Sequence, residues 1–238
     1  MGELTLFIYG GGWGDELLRG FGLTIALSIV AFLLGTAAGL AAALGELSRW
    51  RLLSAVLQGY GAVIRSLPEL LIIFLLYFGG SLALQKALAP FGIDGYVEVS
   101  AFWAGAIALA IIQGAYASEV LRGAILAVPR ELPEAAAALG LKRWMIFCRV
   151  TLPIAARFAF PGLCNLWMVV IKNTALVSAV GLEDLIGAAG TAGENTKHYF
   201  TFYFTVLIAY LLLSGGTMAM QSAMQSRLFR YAETGRAT

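Results

Sequence analysis

The sequence predicts an all-α, polytopic membrane protein, and three observations lead there. Charged residues make up 13% of the chain and apolar residues 60%, whereas a soluble domain carries roughly 25% charged residues. The apolar residues are gathered into runs long enough for a helix to cross a bilayer, about 20 residues each. These runs also lack the alternation of polar and apolar residues that a closed barrel, the other spanning form, requires.

Five spans are predicted within a single unit covering residues 1–238. The first, Phe21–Leu44, carries Gly35 and Gly39 four residues apart, a small-residue face that admits another helix closely. The second, Ser54–Leu82, is interrupted by Arg65, Pro68 and Glu69. The third is Ala101–Leu121. The fourth, Pro153–Val180, contains Pro161 and Lys172, and the fifth is Tyr199–Met224.

Basic residues set the orientation. Arg49 and Arg51, then Arg122, Arg130, Lys142, Arg143, Arg149 and Arg157, then Arg227, Arg230 and Arg236, all fall on one side of the five spans. The other side holds Arg19, Lys86 and Lys197 among many acids: Asp15, Glu16, Asp94, Glu98, Glu183, Asp184 and Glu194. The N-terminus is therefore expected outside and the C-terminus in the cytoplasm. The first residues show neither a basic n-region nor a small-residue cleavage site, so no removable signal peptide is expected. The net charge of +2 is scattered and does not point to nucleic acid. Cys148 and Cys164 lack metal-ligand spacing and read as small buried residues.

The loop 122–152 is longer than a helix connection needs to be. Pro129 and Pro133 stand at a helix entry, and Glu134–Leu139 has high helix propensity. Gly140 is a stop, Leu141–Val150 forms a second helix, and Pro153 closes it. Residue chemistry leaves two readings, a docking surface for a soluble partner or an amphipathic helix lying on lipid.

Glu134-Ala135-Ala136, three residues, Gly140, nine residues, Val150, one residue, and Leu152-Pro153 resembles the EAA motif of binding-protein-dependent ABC importer permeases. Ile64–Leu70, Gly114–Gly123, Asn173–Ser178 and Gly181–Leu185 resemble segments of the polar amino-acid branch of that family, the histidine, arginine/ornithine and opine permeases. The resemblance implies a permease subunit that imports polar, cationic amino acids or opines across the bacterial inner membrane. It implies that the EAA loop, with Glu134, Ala135, Ala136, Gly140, Leu152 and Pro153, docks on a cytoplasmic ATPase present in two copies. It further implies a second permease, related or identical, and an extracytoplasmic substrate-binding protein. No phosphate-binding loop with its Lys occurs in the chain, so ATP and Mg are expected on the partner ATPase, no cofactor here, and no enzyme activity.

Ionisable groups at membrane depth are functional candidates. Arg65 and Glu69, four apart, are placed on one helix face and assigned to the substrate pathway: they pair with each other or Arg65 snorkels to the cytoplasmic interface, or Glu69 meets a cationic substrate group. Glu119 and Arg122 form a gate or a helix-end pair. Lys172, Asn173, Thr174 and Ser178 line the substrate pathway, or serve interfacial packing. His198 reads as a surface residue. An intramembrane protease is excluded by the single His and the lack of paired Asp in spans. An ion-driven secondary transporter is the alternative, though no internal repeat supports it.

Overall fold

The structure is a computed structural model. It describes residues 7, 12–88 and 100–233, without the side chains of 84, 87–88 and 226–233. Asp94, Glu98 and Arg236, counted above for the charge bias, lie outside the described residues, as do the side chains of Arg227 and Arg230.

The described residues form helices and no strand. They are α1 (Gly14–Glu46), α2 (Arg51–Ser66), α3 (Glu69–Leu88), α4 (Ala101–Leu126), α5 (Glu131–Ala138), α6 (Arg143–Ile146), α7 (Leu152–Asn173), α8 (Leu185–Thr196) and α9 (Tyr199–Glu233). Among the described residues four helical stretches are long and apolar enough to cross a membrane: α1, α4, the continuous run Arg143–Val180, and α9 up to Gln225. The pair α2–α3 makes a fifth if the two count as one span.

The core forms where α1 and α4 run side by side in the same direction. Gly35 meets Ala110 and Gln113, and Gly39 meets Gly114, Ala117 and Ser118. A Cβ on Gly39 would stand 2.7 Å from the Ala117 Cβ and 2.9 Å from the Gly114 carbonyl oxygen. The small-residue face read from the sequence is therefore a main-chain contact between two helices. Leu27, Ala31, Ile73, Leu109, Ile112 and Val177 fill the interior around it. Leu33, Leu207, Leu211 and Leu212 are exposed, as lipid-facing side chains are.

Two expectations need correction. The second span is not one helix: α2 and α3 meet at a bend of 106°. Leu67, the residue before Pro68, is extended at ψ 147°, because the proline ring disfavours helical backbone at the preceding position. Arg65 and Glu69 consequently sit on different helices, not on one face. Pro153 also does not close the preceding helix. Helical backbone runs from α6 through a single π turn, Phe147–Thr151, into α7, with Pro153 in its first turn. The wider π turn accommodates a residue that cannot donate to the regular ladder. The fourth span thus begins near Arg143.

Candidate functional site

The loop 122–152 turns sharply after α5. Gly140 lies in the left-handed region at φ +78°. Its N–H donates to the Ala137 carbonyl at 2.9 Å, and the Leu141 N–H donates to the Ala136 carbonyl at 3.2 Å. That pair of bonds is a Schellman ending, which a glycine reaches without strain. Ala136 faces inward and is buried, while Glu134, Ala135 and Gly140 are exposed. Leu152 is half-buried and Pro153 exposed. Beside them, a shallow groove of about 290 Å³ is bounded by Pro133, Glu134, Ala137, Arg143, Phe147 and Thr151. Leu139 at 83% and Trp144 at 73% exposure flank the turn. Neither was singled out in the sequence, where both look like core residues. Only their place beside Gly140 reveals a free apolar surface.

The charged residues of the spans pair differently from the sequence expectation. Arg65 Nε lies 3.3 Å from Glu119 Oε2, and Arg65 Nη1 donates to the Ala115 carbonyl at 2.7 Å. Arg122 Nε lies 3.1 Å from Glu46 Oε2. Neither an Arg65–Glu69 pair nor a Glu119–Arg122 pair exists among the described residues. The bend at Pro68 carries Glu69 away from Arg65, and the parallel packing of α1 on α4 brings Glu46 to Arg122. Glu69 is half-buried in the first turn of α3, where a carboxylate is favoured by the helix N-terminus.

Lys172 is exposed and lines an apolar depression against Tyr203, Tyr210 and Leu211 of α9. The chain past Asn173 tightens into a 3₁₀ segment, Thr174–Val180. Thr174 is buried, donates to the Ile171 carbonyl at 2.7 Å and lies 3.4 Å from the Tyr210 hydroxyl. Ser178 donates to the Ala175 carbonyl. Asn173, Lys172, Thr174 and Ser178 follow one another along one segment, but no hydrogen bond or ion pair joins them to Glu69. His198 is exposed after the end of α8. Cys148 and Cys164 are half-buried free thiols. Among the described residues no group of His, Cys, Asp or Glu side chains is arranged to hold a metal ion.

Asp184 enters the sequence reading only as an acid of the outer side and as part of the Gly181–Leu185 segment. It is fully buried and caps α8, its Oδ1 accepting from the Gly187 N–H at 2.9 Å. Oδ2 has no partner. The adjoining Leu185 N–H donates to Thr24 Oγ1 of α1. Burial pushes the Asp184 carboxyl up to about 6. An Asp standing immediately before a helix was the available sequence signal for the cap.

The family described as the binding-protein-dependent transport system inner membrane component matches residues 35–230. The chain belongs to that family. It is 43% identical over 214 residues to the nopaline transport system permease protein NocQ of Agrobacterium fabrum (strain C58 / ATCC 33970), covering 89% of this chain and 91% of that protein. It is 37% identical over 203 residues to the histidine/lysine/arginine/ornithine transport system permease protein HisQ of Escherichia coli (strain K12), covering 85% and 89%. A crystal structure of an amino acid ABC transporter with histidines superposes with a TM-score of 0.76 at 30% identity, over 90% of this chain and 95% of that one. The MetNI methionine transporter, at 19% identity and a TM-score of 0.70, shares the fold. The protein is thus an inner-membrane permease subunit of a binding-protein-dependent ABC importer. It is not itself an enzyme, since ATP hydrolysis belongs to a partner ATPase. Nothing supports an ion-driven transporter.

Proposed function

We propose that the whole chain, residues 1–238, acts as one permease unit importing cationic amino acids or opines. The support for the substrate class is the likeness to nopaline and histidine/lysine/arginine/ornithine permeases. Glu69 adds to it, because its half-buried carboxylate has no ion-pair partner among the described residues and so is free to pair with a cationic group. Lys172, Asn173, Thr174 and Ser178 continue the proposed pathway, although the bonds of Thr174 give it a packing role as well.

The observation that carries the coupling role is the Gly140 turn, beside which Glu134, Ala135 and Leu139 are exposed on one projection. We place the ATPase, with its ATP and Mg, on this projection. The loop then faces the cytoplasm, the C-terminus with it, and the N-terminus lies outside. Two permeases, identical or related, would join two ATPases, with a substrate-binding protein on the opposite face. Reconstitution with ATPase and binding protein in liposomes tests the whole reading: labelled arginine should accumulate only with ATP and both partners. Accumulation without either partner would refute it.

A further inference from the structure

The turn between α1 and α2 carries three consecutive side chains, Arg49, Trp50 and Arg51, and all three are exposed, Trp50 at 76%. Neither arginine has an ion pair or a side-chain hydrogen bond among the described residues. The acid nearest in sequence, Glu46, is taken by Arg122. α1 has 33 residues and so is about 50 Å long, whereas a bilayer with its headgroups measures about 40–45 Å. The turn that follows α1 therefore reaches headgroup level. Helix α2, which begins there, has two unlike faces. Ser54, Gln58 and Arg65 recur on one side at helical spacing, and this side meets the bundle: Ser54 Oγ donates to the Glu46 carbonyl at 2.7 Å, and Arg65 reaches α4. Leu52, Val56 and Val63 recur on the opposite side, and each is more than half exposed. Two unpaired guanidinium groups and a tryptophan thus stand at headgroup level beside a free apolar helix face.

We propose that Arg49, Trp50 and Arg51, together with the outward face of α2, form a docking surface for an anionic phospholipid. The charge complementarity selects this occupant. Guanidinium forks match phosphate oxygens in two-point fashion, an indole ring suits the boundary between headgroups and chains, and Leu52, Val56 and Val63 offer the acyl chains an apolar strip. A neutral lipid would leave the two positive charges uncompensated. The surface is also connected to the rest of the bundle. Ser54 ties the first turn of α2 to the end of α1, and Glu46, at that end, faces Arg122 at the root of the loop 122–152. A lipid held at the turn therefore bears on the ion pair from which the loop departs.

The test uses the permease–ATPase complex reconstituted in phosphatidylcholine vesicles at low salt. Spin-labelled phosphatidylglycerol or spin-labelled phosphatidylcholine, with the label near the headgroup, quenches tryptophan fluorescence. The Trp50 signal is the difference between each protein and its Trp50→Phe counterpart. In wild type, phosphatidylglycerol should be preferred at Trp50 by at least roughly fivefold, the worth of one interfacial arginine. Arg49→Gln with Arg51→Gln should bring the preference close to one. Arg149→Gln with Arg157→Gln removes the same charge from two other exposed positions and should leave the preference at Trp50 in place. The inference is overturned if wild type shows no preference, or if the Arg49 and Arg51 variant keeps it. Equal loss in both double variants would also overturn it, by showing a diffuse field and no local surface. So would an absence of Trp50 quenching by either lipid, which would mean that protein covers this face.

Discussion

The guanidinium of Arg65 is held between Glu119, at 3.3 Å, and the Ala115 carbonyl, at 2.7 Å, so one side chain of α2 grips α4 at two points one turn apart. The carboxylate half of this arrangement is more than half exposed, and exposed ion pairs contribute only about 0.2–1 kcal/mol. The bond to the carbonyl is part-buried, and bonds to charged groups contribute about 1.5–3 kcal/mol. Arg65→Ala should therefore destabilise the protein by about 2 kcal/mol, and Glu119→Gln by under about 1 kcal/mol. Unfolding in detergent measures both, and equal losses would show that the carbonyl bond adds nothing.

Gly39 packs against Ala117 with no room for a side chain. Overpacking of this kind costs about 1–3 kcal/mol. Gly39→Ala should lower stability by that amount. Gly22→Ala, on the same helix with nothing within 4 Å of its Cβ, should be neutral or stabilising by up to about 1 kcal/mol. Equal behaviour of the two variants would mean that the α1–α4 contact is looser than described.

Gly140 has open space around it, so its constraint is backbone conformation and not crowding. A branched residue at positive φ costs roughly 1–2 kcal/mol. Gly140→Val should abolish ATP-driven uptake while membrane insertion persists. Gly140→Asn, which tolerates the left-handed region better, should retain partial uptake. Normal uptake by Gly140→Val would remove the basis for placing the ATPase on this turn.

Asp184 gives the protein a pH dependence of defined sign. Its folded value, about 6, exceeds the ordinary 3.8, so the folded state holds the proton more tightly than the unfolded chain does. The stabilisation tied to this proton is fully present below about pH 4. It is lost as pH rises to about 6 and changes no further above that. At 1.36 kcal/mol per unit, the change is roughly 3 kcal/mol. Asp184→Asn keeps the Oδ1 cap and removes the ionisation. It should abolish this slope and be the more stable protein at pH 7. Melting curves at pH 4, 5, 6 and 7 decide it, and an unchanged slope in the variant would assign the effect elsewhere.

Glu69→Gln keeps shape and removes charge. Uptake of arginine should weaken by roughly ten- to a hundredfold in affinity, the equivalent of about 1.5–3 kcal/mol. Uptake of a neutral amino acid should change less, and the ATPase should remain bound. Unchanged arginine uptake across the concentration range would confine Glu69 to capping α3.

The spans and the loop were legible because each is written locally. Runs of apolar residues, Gly35 with Gly39, and Gly140 after an alanine-rich helix act over a turn or two of chain. The helix breaks were half legible. Pro68 and Pro153 were both read as interruptions, but a proline acts through its neighbours. At Pro68 the preceding Leu67 goes extended and the chain bends, whereas at Pro153 a π turn absorbs the fault and the helix continues. Charge pairing was not legible. Arg65 with Glu69 and Glu119 with Arg122 satisfy helical spacing, yet the actual partners come from other helices, and only tertiary packing decides between them. The burial of Asp184 was missed for the same reason, since its main chain packs against Gly20 of α1, far away in the chain.

The contact between α1 and α4 has a mechanical side. A layer of side chains between helices yields under load, but where Gly39 meets Ala117 and Gly114 no such layer exists, so the two helices bend and tilt together as one stiff beam. At 33 residues α1 is roughly 50 Å long. Near one end the beam is tied through Glu46 to Arg122, at the root of the loop. Near the other, Gly20 abuts the Asp184 main chain so closely that a Cβ would come within 2.7 Å of its carbonyl oxygen. Close contact at Gly39 and at Gly20 leaves α1 little freedom to slide past either neighbour, so a displacement of α4 at the loop carries α1, and the main chain at Asp184, with it.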